Sequence, residues 1–299
     1  LMAEAAFEPV GFLGPQIFGL PVNRDILFAN HNDVYKKRIE KRQRKLIVKV
    51  PFLKSFLKKG EQILLITTGY SPLNSAAQYL TGFLFVYLKR SLIVFTNYRI
   101  LHIPTTSDYN CKYSLTQVAY AGCNSIDLKG GTLVVQYERN GQKSKEKFSA
   151  IAVPERRKIK ALLKKKIPLS GTKGQLAARI HLCPRCTHML PQAGKKCNKC
   201  QLPFKSKLVS AIIAILVPGG GYLYIRQYLL GILNALSEIA LLAFISYLIN
   251  ELRQQAPVDP LHVAAIPAYL YLKIAAIIHS GHFINEFIPR DKNVQLRNL

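Results

Sequence analysis

The pattern of apolar and polar positions changes character twice along this chain. Beyond residue 207 the apolar residues run almost unbroken. Gln227–Asn250 (QYLLGILNALSEIALLAFISYLIN) and Leu261–Ile284 (LHVAAIPAYLYLKIAAIIHSGHFI) each supply the roughly 20 mostly apolar residues that a bilayer core demands. They predict a two-helix transmembrane hairpin over 227–289. Leu208–Val217 (LVSAIIAILV) is half as long and stops at Pro218-Gly219-Gly220-Gly221. It predicts a re-entrant or interfacial half-helix within 205–226, with Tyr222, Tyr224 and Tyr228 at headgroup level beside Arg226.

Both spans contain a charge. Glu238 lies twelve residues before Asn250 and Lys273 twelve residues after Leu261, so an antiparallel hairpin places them at equal depth. Each alone would cost about 2.5–3.5 kcal/mol near the bilayer centre, so exposure to lipid is disfavoured. Either the two pair directly, with Gly231, Asn234 and Glu238 as a polar stripe, or both face a partner subunit or a water-filled cavity. The connector Glu251–Pro260 holds one Arg against two acids, whereas Lys205-Ser206-Lys207 and the tail 290–299 are basic. The positive-inside rule puts the connector outside and the body in the cytoplasm. A three-span arrangement, with the tail outside, ranks second.

Residues 57–166 read differently. Short runs such as QILLITTGY, GFLFVYLKR, SLIVFTNYRILHIP and YSLTQVAYAGC are rich in β-branched and aromatic residues, with turns at Gly130-Gly131 and Asn140-Gly141. Pro154 then opens a helix, VPERRKIKALLKKK, with Ile159, Leu162 and Leu163 on its apolar side. Before the strands, Asn32–Leu57 predicts a basic amphipathic helix (31–56) with Asn32 as N-cap and Ile39, Leu46, Val50 and Leu53 near one stripe. Such a helix either lies in a membrane interface or is a solvated lead-in. Residues 1–30 show no period and read as an apolar arm, packed on a partner or disordered. Glu4, Glu8 and the missing basic leader argue against a secretory signal.

The net charge of +26 comes from 42 basic against 16 acidic residues. From Lys36 to Lys59 eleven basic residues face a single Glu40, and from Arg156 to Lys207 there are fifteen and no acid. Lys36, Lys37, Arg38, Lys41, Arg42, Arg44, Lys45, Lys164, Lys165 and Lys166 are the candidates for contact with anionic headgroups, worth up to about 1 kcal/mol each close to the surface. Nucleic acid attracts the same charge and ranks behind lipid, because the chain carries its own anchor.

After a linker (167–180, containing IPLSGTKG) come Cys183-Pro-Arg-Cys186 and, ten residues on, Cys197-Asn-Lys-Cys200. Two CxxC knuckles present four soft thiolates at tetrahedral corners, which suits structural Zn²⁺. A redox pair and a rubredoxin-type iron centre are the alternatives. Four cysteines close the site, so His181 and His188 are not needed as ligands. The spacing resembles a zinc ribbon over 181–204. Cys111 and Cys123 have no metal-ligand spacing.

Leu57-Lys58-Lys59-Gly60-Glu61 followed by Leu92–Leu101, which contains Thr96-Asn97-Tyr98-Arg99, resembles bacterial PH and GRAM-like domains over about residues 55–166. The resemblance implies a β-barrel closed by a C-terminal helix that docks lipid or protein and does no chemistry. It transfers no lipid-pocket residue, and Arg99 reads as a structural strand residue. Pro218–Tyr224 with Gly231 resembles a glycine-rich segment of small bacterial membrane proteins whose cytosolic side carries a zinc ribbon.

The expectation is thus a multidomain α+β membrane protein: PH-like β-barrel, four-cysteine zinc ribbon, helical hairpin. No phosphate-cradling loop, nucleophile elbow or paired carboxylates stand out, and no small-molecule substrate is evident. The function expected is that of a non-enzymatic accessory or scaffold subunit of a larger complex, such as a transporter, in the bacterial inner membrane. A lipid-binding protein acting alone and a membrane-tethered nucleic-acid binder are the alternatives.

Overall fold

Alternate residues of one strand, β4 (Arg90–Thr96), belong to two different cores in the computed structural model: Leu92 and Val94 to one, Ile93 and Phe95 to the other. The structure describes residues 15–71, 89–106, 109, 111, 115–120, 123–139, 142–165, 179–191, 194–254 and 260–290. Residues 1–14, most of the run GFLFVYLKR, the Asn140-Gly141 turn, Lys166, most of the linker, the connector's 255–259 and the tail beyond Arg290 lie outside the described residues. The chain divides into two units.

The first unit is built on a five-stranded antiparallel sheet in the order β10-β6-β5-β4-β3. Its members are β3 (Ile63–Tyr70), β4, β5 (Arg99–Pro104), β6 (Leu115–Ala119) and β10 (Arg179–Leu182). Burial on both faces is why these strands read as continuous apolar runs. One face is covered by the N-terminal segment: a tiny hairpin, β1 (Gln16–Ile17) and β2 (Leu20–Pro21), then α1 (Arg24–Leu27), α2 (Lys37–Ile47) and a 3-10 turn at Pro51–Ser55. The other is covered by a three-stranded sheet, β7 (Ser125–Lys129), β8 (Thr132–Arg139) and β9 (Gln142–Phe148), and by α3 (Val153–Lys165), which contributes Ile159 and Leu162. The β7–β8 turn puts Gly130 and Gly131 at φ +55° and +85°, which suits a two-residue hairpin.

This arrangement corrects the expected PH-like barrel. The fold is mixed α+β, and among the described residues there are three sheets, none of which closes. Among the described residues β10 occupies the free edge of β6, β7 pairs with β8 alone, and β3 meets the segment after β9 through the Tyr70–Ser149 bridge and a bond from Ala152 N to Thr68 O at 3.2 Å. The N-terminal expectations change as well. Residues 15–30 put Ile17, Leu20, Val22, Leu27 and Phe28 into this unit's own core. α2 begins at Lys37, with Asn32 in the turn that precedes it, and Leu46 and Ile47 are buried against the sheet. The apolar face of the basic helix is therefore not open to a membrane. Gln43 on that face satisfies an edge: its amide donates to Ile66 O at 2.9 Å and accepts from Ile66 N at 3.0 Å.

The second unit contains α4 (Lys207–Leu216), α5 (Gly220–Tyr224), α6 (Tyr228–Arg253) and α7 (Pro260–Ile284). Two of these, α6 and α7, are long and apolar enough to cross a membrane. α4 is too short for that. It stops because Pro218 has no N–H to continue the ladder, and Gly219 turns the chain at φ +66°. Gly219 also packs tightly, since a Cβ there would fall 2.0 Å from Gly231 O.

Candidate functional site

The two CxxC segments fold identically at the backbone. Cys183 N donates to His188 O (2.8 Å) and Thr187 N to Cys183 O (3.0 Å); Cys197 N donates to Leu202 O and Gln201 N to Cys197 O, both at 3.0 Å. Thr187 and Gln201 occupy matching left-handed positions, φ +59° and +54°. Leu190 N to His181 O repeats as Phe204 N to Lys195 O, and the Leu182–Met189 bridge repeats as Lys196–Pro203. Each knuckle is thus a tight turn that aims both of its thiols the same way. The four sulfurs lie within 4.8 Å of one another. Tetrahedral thiolates around Zn²⁺ sit about 3.8 Å apart, so the cluster fits a metal with little adjustment. Cys183 and Cys197 are buried, while Cys186 and Cys200 are half-buried. The sequence reading missed that the first knuckle grows directly from a sheet: β10 pairs Arg179–Leu182 with β6.

Cys123 is a different kind of thiol. Burial pushes its pKa up to about 12, and its Sγ donates to Ala119 O at 3.3 Å, so it is inert.

A second cluster lies in the helical unit. Lys273 Nζ of α7 is 2.8 Å from Glu238 Oε2 of α6, and it donates to Ala214 O of α4 at 2.8 Å. Asn234 Nδ2 donates to the other carboxylate oxygen. Glu238 is fully buried and Lys273 nearly so, and Gly231 and Asn234 lie on the same stripe of α6. Sequence spacing had juxtaposed the charges but not Ala214. The signal was available: Ala214 stands four residues before Pro218, so its carbonyl has no helical donor. Beside this cluster Tyr222 OH and His279 Nδ1 are 2.7 Å apart, a contact the sequence did not suggest.

The basic candidates separate. Lys36, Lys37, Arg38, Lys41, Arg44, Lys45 and Lys164 are exposed. Arg44 pairs with Glu40 at 2.8 Å, and half-buried Arg42 pairs with Glu155 at 2.7 Å. Lys165 closes α3. Arg99, by contrast, is buried. Its guanidinium grips both oxygens of fully buried Glu61 at 2.9 Å and also donates to Phe56 O and Gln117. Thr96 Oγ1 donates to the same carboxylate at 2.7 Å, and Asn97 bridges Gly60 O and Gln62 N. The Gly-Glu and Thr-Asn-x-Arg segments are two halves of one structural lock.

Comparison with known families, characterised proteins and solved structures gives no match to this chain. What can be stated is the class: a mixed α+β protein with two helices apolar enough to cross a membrane and four clustered cysteines able to hold a metal.

Proposed function

We propose that this chain is a non-enzymatic accessory or scaffold subunit of the bacterial inner membrane, anchored by α6 and α7 with the sheet unit in the cytoplasm, and that the four cysteines hold structural Zn²⁺. The observation that carries the reading is the state of the helical unit. Its inner face holds the buried Glu238–Lys273 ion pair, while Leu229, Ile232, Leu236 and Ile239 of α6 and Leu208, Ile215 and Leu216 of α4 are exposed. Such a surface is stable only against lipid or another membrane protein. The thiol cluster supports zinc by its donor chemistry, and a closed four-sulfur set is a structural rather than a catalytic site.

A second reading, a lipid-binding protein acting alone, is favoured by exposed Phe18 and Val48, which line an open groove of 670 Å³ with Arg44, Lys45 and Lys49. The deciding experiment is extraction in mild detergent through a C-terminal tag, with quantitative mass spectrometry of the eluate. A membrane protein co-eluting at fixed stoichiometry supports the accessory role. A solitary chain overturns it and leaves the second reading.

A further inference from the structure

Three cations meet where the helices of the second unit begin and end. Phe204 bridges to Pro289, Lys205 N donates to Ile288 O (2.9 Å) and Arg290 N to Pro203 O (3.0 Å), so the segment before α4 is zipped to the one after α7. Opposite, α5 gives way to α6 through Arg226. The result is an open pocket of 510 Å³ containing Lys205, Arg226 and Arg290, with Val209 and Leu223 as an apolar wall. No aspartate or glutamate is among the described residues lining it.

Neutral groups contact all three cations. Arg226 Nη2 donates to Arg290 O at 2.6 Å, and Arg290 Nε donates to Phe204 O at 3.2 Å. Lys205 Nζ donates to Tyr224 O and lies over the Tyr224 ring. Each guanidinium has five N–H donors, more than the single side-chain bond each is described as donating here. The backbone adds an independent observation. Gln227 N bonds Tyr222 O (2.9 Å) and Arg226 N bonds Leu223 O (3.0 Å), the double bond pattern that ends a helix at a left-handed residue, usually glycine. Here that residue is Arg226, at φ +65°. Folding alone favours glycine there, so a long cationic side chain at this point suggests a ligand.

We propose that this pocket binds the phosphate of an anionic phospholipid headgroup, with an acyl chain along Val209 and Leu223. Its place at the starts of α4 and α6 and the end of α7 is headgroup depth for helices that cross a bilayer, where basic pockets between helices take such lipids. The proposal rests on the membrane reading of α6 and α7 and not on the accessory role.

The test titrates the full chain, purified in an uncharged detergent, with short-chain phosphatidylglycerol, short-chain phosphatidylcholine and inorganic phosphate, following binding by calorimetry. Phosphatidylglycerol is expected to bind at one site at least tenfold more tightly than phosphatidylcholine. Arg226→Gly should weaken that binding at least tenfold while leaving the melting temperature unchanged or higher, and Arg290→Gln should weaken it similarly. Equal affinity for the two lipids, or unchanged affinity in both variants, overturns the proposal. Inorganic phosphate binding as tightly as phosphatidylglycerol makes this a site for soluble anions and overturns the lipid assignment. A chain that stays monodisperse without detergent sinks the membrane reading itself, whereas a missing protein partner leaves this proposal standing.

Discussion

Lys273 donates to the carbonyl of Ala214 at 2.8 Å, in place of the N–H that Pro218 lacks, while holding Glu238 at 2.8 Å. One ammonium therefore ties α4, α6 and α7 together, and it does so where neither a bare charge nor a bare carbonyl is tolerable.

Removing one side of the pair should reveal this. Glu238→Gln leaves Lys273 without its counter-charge, and breaking a buried pair costs about 3–5 kcal/mol. Thermal unfolding in detergent should fall accordingly. Adding Lys273→Met should recover part of the loss but not all of it, because Ala214 O then has no donor. Strictly additive losses from the two changes would falsify the pairing.

The turn that creates the orphan carbonyl makes a sharper contrast. Gly219→Ala meets two obstacles: the left-handed backbone, worth about 1–2 kcal/mol, and a Cβ placed 2.0 Å from Gly231 O. Gly130→Ala faces the first alone, since nothing lies within 4 Å of its Cβ. The melting temperature should drop markedly more for Gly219→Ala. Equal drops would mean that α5 and α6 do not pack as described.

What the sequence made legible follows from the range of each interaction. The long helices, expected at 227–250 and 261–284, occupy Tyr228–Arg253 and Pro260–Ile284, because length and apolarity are local properties. The knuckles were equally local. Residues 15–57 were not legible, since their order comes from covering a sheet whose strands lie later in the chain. Gln43 illustrates the point: on a helical wheel it spoils the apolar stripe, yet it is fully buried because it completes the Ile66 edge. The unclosed sheets were hidden for a similar reason. The strand that caps β6 sits at Arg179–Leu182, in what composition marked as linker and ribbon.

The Glu61–Arg99 lock predicts that strand chemistry there is unforgiving. Arg99→Lys keeps the charge but loses the two-pronged grip at 2.9 Å and the bonds to Phe56 O and Gln117. Its melting temperature should fall by several degrees. Arg99→Met should fall further, by the roughly 3–5 kcal/mol of an uncompensated buried charge, with partial recovery on adding Glu61→Gln. Wild-type stability in Arg99→Met would overturn the lock.

The cysteine cluster predicts one metal per chain. Elemental analysis of the purified protein should give one zinc, and Co²⁺ exchange should produce the visible bands of a tetrahedral thiolate site. Cys197→Ser should abolish both, whereas Cys123→Ser, a buried thiol outside the cluster, should leave them intact. If a bound metal supplies the folding energy of so small a module, a strong chelator should expose 181–204 to protease. Full zinc retention in Cys197→Ser would sink the site.

Glu155 supplies the pH test. It is buried beside Arg42, and burial raises its pKa above the ordinary 4.5 despite the attraction of Arg42 and Lys158. A carboxyl whose pKa is higher folded than unfolded binds its proton more tightly in the folded state. Its stabilising contribution is complete below about pH 4.5 and is lost as the pH rises through the folded value. The wild type should therefore lose stability relative to Glu155→Gln as the pH is raised from about 4 to about 7, read as the difference between their melting temperatures in one detergent. The opposite slope, with the wild type gaining on the variant, would show that the Arg42 pair at 2.7 Å outweighs burial and that α2 is held to α3 mainly by charge.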